Sequence, residues 1–241
     1  MAAKPPAPKE REVIHARRID DLPARLRAAN ISVPGWAHGR NSEDAELYAV
    51  IRLLASRRYG MSEFPLTLKK RERPDFVLAL NDVVIGIEHT EAISQNDAKA
   101  AALRDDGHGP KVYFSKPASV SEPPKTSKQL KEEILADEMG DGWVGDSAER
   151  GWAEAMTHFV EKKMTSAQGE GYTRYPHLWL LIYDHWPAPA LDLHKALPLL
   201  RTQLEACSAW SIFERVFILD EDLIVELNES TENIHCVNHS E

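Results

Sequence analysis

Residues 73–92 read RPDFVLALNDVVIGIEHTEA. Two β-rich runs, FVLAL and VVIGIEHT, flank Asn81-Asp82, a dipeptide suited to a tight hairpin turn. With that dipeptide at the tip, residue 80 faces 83, 77 faces 86 and 75 faces 88. Asp75 and Glu88 are therefore predicted opposite each other, on one face of the hairpin, with Cβ atoms roughly 5 Å apart. A four-residue loop on the same centre keeps this match, whereas an odd-length loop or a bulge breaks it. Like charges so placed destabilise a sheet, and a divalent cation between them removes the penalty. All-oxygen ligation suits Mg2+ or Mn2+ better than Zn2+. The strand that carries Glu88 is otherwise apolar, with Val83, Val84, Ile85 and Ile87. A structural alternative stands beside this reading: Asp75 caps the strand start next to Pro74, and Glu88 pairs with Arg71 or Arg73.

Upstream of the hairpin, Ser42 offers an N-cap to EDAELYAVIRLLASRRYG. There Leu47, Val50, Ile51 and Leu54 recur at helical spacing, Glu43 and Asp44 suit the first turn, and Gly60 ends the run. A short strand is read around Phe64–Leu68. Downstream, SQNDAKAAALRDD is helical. Residues 107–146, rich in Gly, Pro, Ser and Lys, read as a long insertion with a helix at SKQLKEEILADEM. A second long helix covers about 147–168, with Ala148, Trp152, Met156, Phe159 and Val160 as its apolar stripe. HLWLLIYDHW is near-continuously apolar, as in a strand buried on both faces. ALDLHKALPLLRTQLEACSAW is a helix in which Pro198 makes a kink or marks the early part. RVFILDEDLIVELN forms two short strands about an Asp-Glu-Asp turn. The order predicts an α/β fold, a mixed sheet flanked by helices. Residues 42–228 make a single domain, preceded by a weakly ordered arm (1–41, with a short helix over Asp20–Ala29) and followed by a polar tail (229–241).

The chain of 241 residues has 43% hydrophobic content, enough for one sizeable core. No stretch approaches the roughly 18 apolar residues of a membrane span. MAAKPPAPKEREVIHARR lacks the apolar region of a secretory signal, so a cytoplasmic address and no membrane partner are expected. Cys207 and Cys236 do not suggest a disulfide framework. A net charge of -9 argues against an indiscriminate DNA-coating protein, while leaving room for a local basic face.

Arg73-Pro74-Asp75-Phe76, then the hairpin, then Ile87-Glu88-His89-Thr90, resembles the PD-(D/E)XK (restriction-endonuclease-like) nuclease superfamily. The resemblance spans about 42–184 in outline and some twenty residues in detail. It implies an αβββαβ core, here with an extra C-terminal helix and strand pair. It also implies a metal-dependent phosphodiesterase acting on nucleic acid, with DNA as the first substrate to consider. Asp75, Glu88 and the backbone carbonyl of His89 would hold Mg2+ or Mn2+, which would activate water for in-line attack. The sequence departs from the family at Thr90, which stands where the lysine is expected. Lys163, three residues after Val160 on the stripe of the second long helix, is the candidate replacement. Its alternative is a side chain that covers apolar surface and carries its ammonium to water; Lys162 lies nearer the helix edge. Lys163 or Thr90 would position the water, and Glu46 on the first helix would complete the shell through water. Glu43 fits a first-turn role beside the helix dipole better. The departure at Thr90 keeps open a catalytically inactive relative that binds nucleic acid or a protein partner, or pairs as a homodimer. An unrelated α/β protein with an accidental acid pair is the third reading.

Lys69, Lys70, Arg71 and Arg73 sit beside Asp75 and suit phosphates flanking a scissile bond, or simply a solvated strand edge. Lys111, Lys116, Lys125, Lys128 and Lys131 give the insertion a second such surface, or a solvated loop. His185 and His194 flank Trp186, and His235-Cys236 with His239 forms an HCxxH tail, without the four ligands a zinc site needs. The His89 side chain alternates away from Glu88. Phosphate-loop, dinucleotide-binding and serine-hydrolase motifs are absent, and Trp152 and Trp179 fall in core-like patterns.

Overall fold

A computed structural model describes residues 10–29, 32–56 and 64–237. Its sheet has eight strands among the described residues, and their spatial order follows the chain: β1 (Arg11–Ala16), β2 (Leu66–Lys70), β3 (Phe76–Leu80), β4 (Val83–Ala92), β5 (His177–Asp184), β6 (Arg215–Asp220), β7 (Leu223–Leu227) and β8 (Glu232–Cys236). Neighbours from β1 to β4 are antiparallel, β4, β5 and β6 run parallel, and β6 to β8 are antiparallel again. The helices are α1 (Leu22–Ala28), α2 (Ser42–Ala55), α3 (Gln95–Asp105), α4 (Ser127–Ala136), α5 (Ser147–Ala167) and α6 (Leu193–Ala206). The fold is thus α/β, a mixed sheet with helices on both faces. No helix among the described residues is long and apolar enough to cross a membrane.

Strand alternation divides the core in two. Phe76, Leu78, Ile85, Ile87, Trp179, Leu181 and Phe217 pack under α2 through Leu47, Val50, Ile51 and Leu54. Leu178, Leu180, Ile182, Val216 and Ile218 pack under α5 and α6 through Trp152, Met156, Val160, Leu197 and Leu200. Both faces of β5 are therefore buried, which explains its unbroken apolar run. Each large side chain removed from water in this way contributes about 1.5–3 kcal/mol. A one-residue slip of any central strand would invert its set, so register is strongly fixed.

The hairpin pairs Phe76 with Ile87, Val77 with Gly86 and Leu80 with Val83, the register that Asn81-Asp82 predicts. Asn81 takes the left-handed conformation (φ 49°), which asparagine tolerates better than most residues. The cap of α2 is Asn41, one residue before the expected Ser42, and its side chain accepts from the Asp44 N–H at 2.8 Å. The proposed stop at Gly60 lies outside the described residues, as do residues 1–9 and His239. Pro198 falls early in α6, which continues through it.

Two segments differ from the sequence reading. Residues 11–16, expected in a weakly ordered arm, form β1 beside β2, and Ile14, Ala16 and Leu22 enter the core. Residues 232–236, expected in a polar tail, form β8, so the C-terminal strand pair is a triplet. Both strands are short and polar on one side, so neither carries a long alternating pattern. The insertion holds α4, which packs on α3 through Ala100, Leu130 and Ile134 as a small core of its own. Its start is a capping box of Thr126 and Gln129.

Candidate functional site

Phe76 and Ile87 face α2, so the residues next to them in sequence, Asp75 and Glu88, face α5. Their convergence is visible in one side chain. The Lys163 ammonium lies 2.7 Å from Glu88 Oε2 and 3.4 Å from Asp75 Oδ2. β3 begins at Phe76, so Asp75 stands just before the paired strand. It is tied across to β4 by the His89 N–H, which donates to Asp75 Oδ2 at 2.8 Å. Glu88 is 3% exposed. Neither acid is held by its own arginine. Arg71 is engaged with Glu10, Tyr175 and Thr173, and Arg73 is exposed with a contact to the Glu170 carbonyl. Lys163 does not snorkel: its ammonium turns inwards, while Lys162 is exposed.

A second lysine extends the cluster. Lys70 Nζ is 2.5 Å from Glu46 Oε2 and 3.9 Å from Asp75 Oδ1, and it donates to the Asp75 carbonyl at 3.2 Å. Glu46, from α2, thus reaches the site through Lys70, whereas Glu43 pairs with Arg11 at the surface. The result is an alternating line of Glu46, Lys70, Asp75, Lys163 and Glu88. It sets three carboxylates against two ammoniums. Burying such charges is tolerable only because each has an opposite neighbour.

Burial, with the Asp75 charge added, raises the Glu88 pKa above the usual glutamate value, against the pull of Lys163 and Tyr172. Burial also raises Glu46, with Lys70 opposing. For Lys163, burial disfavours the charged form, but the two carboxylates outweigh it and hold the pKa above that of an ordinary lysine. Tyr172 lies beside Glu88 with its hydroxyl buried and outside any hydrogen bond of ordinary geometry. Burial and the Glu88 charge push its pKa up.

The His89 side chain lies on the α2 face, as alternation predicts; burial brings its pKa down to about 3. Its N–H and C=O point to the same side of the strand, so its carbonyl also faces the Asp75 side, beyond the last β3 pair. Thr90 is half-buried on the α5 face opposite Ile182. Among the described residues its side chain forms no hydrogen bond to Asp75, Glu88 or Lys163.

Among the described residues no three His, Cys, Asp or Glu side chains are grouped to hold a metal ion, which includes His185 and His194. The donors on hand are two carboxylates and a backbone carbonyl. That set fits Mg2+, which is commonly bound by one or two carboxylates and retains several waters. The Lys163 ammonium marks the position between the acids as one that favours positive charge.

The basic cluster is less free than its sequence suggests. β2 is not an edge strand, because β1 covers it. Lys69 lies 3.4 Å from Glu10, Lys70 is committed to Glu46, and Arg71 is buried. Arg73 alone among the four is exposed. In the insertion Lys125 pairs with Glu122 and Glu133, and Lys128 with Glu132.

Sequence reasoning missed Tyr172 and the loop that carries it. Thr173 and Tyr175 grip Arg71, and the Thr173 N–H contacts the Arg73 carbonyl, so this loop straps the segment that presents Asp75. Gly86 makes the strap possible, since a Cβ there would lie 3.0 Å from Pro74, Tyr175 and Leu178. A lone glycine in an apolar strand is the signal that could have pointed to such a close approach. Compared with known proteins, the chain matches no family model, no curated protein and no solved structure.

Proposed function

We propose that this chain is a metal-dependent phosphodiesterase of the PD-(D/E)XK type, hydrolysing nucleic acid, with DNA as its substrate. The observation that carries the reading is the meeting of Asp75, Glu88 and the Lys163 ammonium on one face of the hairpin. The order α2, β2, β3, β4, α5, β5 supports a restriction-endonuclease-like core, with α3 and α4 inserted before α5. Asp75, Glu88 and the His89 carbonyl would hold Mg2+ or Mn2+. The ion would supply a Lewis acid for the phosphoryl oxygen and lower the pKa of its water.

The chain's own residues account for the rest. Lys163, at the partly open end of α5, orients water and offsets charge that develops on the phosphoryl group, the task of the lysine replaced by Thr90. Lys70 and the His89 N–H fix the rotamer of Asp75, and Glu46 holds Lys70 in place. Arg73 is positioned to contact a flanking phosphate. The test is cleavage of plasmid and single-stranded DNA with Mg2+ or Mn2+, by wild type and by Glu88→Ala. Metal-dependent nicking by the wild type alone is expected; equal nicking by both proteins removes the assignment.

One observation favours a second reading, an inactive nuclease-fold protein that binds nucleic acid or a protein partner. The two lysines already neutralise most of the acid cluster, so it is stable without an ion. A thermal shift with Mn2+ that Glu88→Ala abolishes, without cleavage of any DNA tried, would select this reading.

A further inference from the structure

A cavity of about 330 Å3 lies between α3, α4, the loop that enters the insertion and the Trp36 and His185 region. Its size is that of a small-molecule site. Trp36, Tyr113 and Phe114 contribute aromatic surface, and Tyr113 and Phe114 remain about half exposed, 48% and 51%. Two of the rings are backed by guanidinium groups: Arg40 lies 4.0 Å over Trp36, and Arg104 lies 3.9 Å over Tyr113. Such stacks hold a ring in a fixed orientation. Trp36 is fixed further by an edge contact with His185, 5.7 Å between centroids, while Tyr113 is about half exposed.

The charges around the cavity are unevenly committed. Glu122 and Glu133 share Lys125, Asp137 accepts from the Phe114 N–H, and Asp97 is the fourth carboxylate of the lining. Arg104 forms no ion pair within 4 Å among the described residues, although its charge is felt by the Asp97 carboxylate of the same lining, and its Nε is buried without a hydrogen-bond partner. Lys116 is exposed and forms no ion pair among them. Aromatic faces beside unpaired cations suit a planar base joined to a phosphate.

We infer that this cavity binds a nucleotide unit, its base against Tyr113 and Trp36 and its phosphate near Arg104 and Lys116. Ile93, which lines the cavity, follows Glu88 by five residues, roughly 16 Å along an extended strand. One nucleic-acid strand can therefore reach both places, although the cavity needs neither metal nor cleavage to fill. The ligand is the same whether it is a free nucleotide or one unit of a single strand, and the experiment separates these.

Calorimetric titration of the full chain with dAMP and with the hexanucleotide d(A)6, in the presence of a chelator, tests the inference. Saturable binding is expected, weakened about tenfold by Tyr113→Ala, the loss of one stacking partner. Lys116→Ala should weaken it further. Both side chains are exposed, so the variants should melt like the wild type. Tighter binding of d(A)6 than of dAMP assigns the cavity to a strand; binding of dAMP alone assigns it to a free nucleotide. No saturable binding of either probe, or unchanged affinity in the Tyr113→Ala, Lys116→Ala double variant, overturns the inference. Because the chelator removes divalent ions, that failure would leave the phosphodiesterase reading untouched.

Discussion

Replacing Lys163 with methionine keeps the length of the side chain and removes its charge. Glu88 would then remain buried opposite Asp75 with no cation between them. Breaking a buried ion pair by deleting one partner costs about 3–5 kcal/mol. The low end applies here, because the Lys163 and Asp75 side chains are 22% and 21% exposed and water screens part of the interaction. A loss of about 3 kcal/mol lowers the melting temperature of a chain this long by about 6–12 °C. The loss must also depend on pH. Without the ammonium, the Glu88 pKa rises further above its unfolded value, so the folded variant takes up a proton that the unfolded chain does not yet bind. Stability is therefore recovered as pH falls through that folded pKa, by about 1.4 kcal/mol per pH unit at most. Melting curves at pH 7.5 and pH 5 should show a large deficit at the first and a smaller one at the second. Mg2+ should raise the melting temperature of the variant more than that of the wild type, since no ammonium competes for the acids. A deficit equal at both pH values, or none at pH 7.5, would refute this account of the cluster.

Acid should destabilise the wild type only moderately. Burial lowers the His89 pKa to about 3 and the His185 pKa to about 4, so each favours the neutral form in the folded chain. Their contribution is complete above an unfolded value near 6.5 and is lost on acidification, about 2 kcal/mol each at pH 5. Asp184, whose pKa burial raises to about 7, acts in the opposite direction and returns about 2 kcal/mol over the same interval. Asp184→Asn should therefore steepen the fall in stability between pH 7 and pH 5, read as urea midpoints; an unchanged slope would contradict the assignment. Gly86→Ala places a methyl 3.0 Å from Pro74, Tyr175 and Leu178 and should cost about 1–3 kcal/mol through the displaced strap. An unchanged urea midpoint would mean the strap yields freely.

The hairpin and its acids were legible because turn chemistry and alternation act over a few residues. Asn81-Asp82 sets the register, whose last pair is Phe76 with Ile87; the next residues on each side, Asp75 and Glu88, then meet at Lys163. Lys163 was found because an amphipathic stripe has a computable face. Helix starts followed to within a residue at the Ser94 and Thr126 caps, but ends did not: the helix read over residues 127–139 stops at Ala136, and the one read over 190–210 spans Leu193–Ala206. Other features depend on contacts between distant segments. β1 is a strand because β2 accepts it, and its six residues carry no pattern of their own. Lys70 was read as part of a basic surface, yet Glu46 from another element takes it inwards. Tyr172 reaches Glu88 through a loop of no regular structure, so no periodicity could have placed it there.

The outermost strands decide how this sheet meets other proteins. β1 carries exposed Arg11 and Glu12 and loses regular pairing between Glu12 and Ile14, and β8 exposes Glu232 and Asn233. Charge at the rim and a break in the ladder both deny a foreign backbone the straight row of donors and acceptors it needs to dock. Growth of the sheet from molecule to molecule is thereby disfavoured at both described rims.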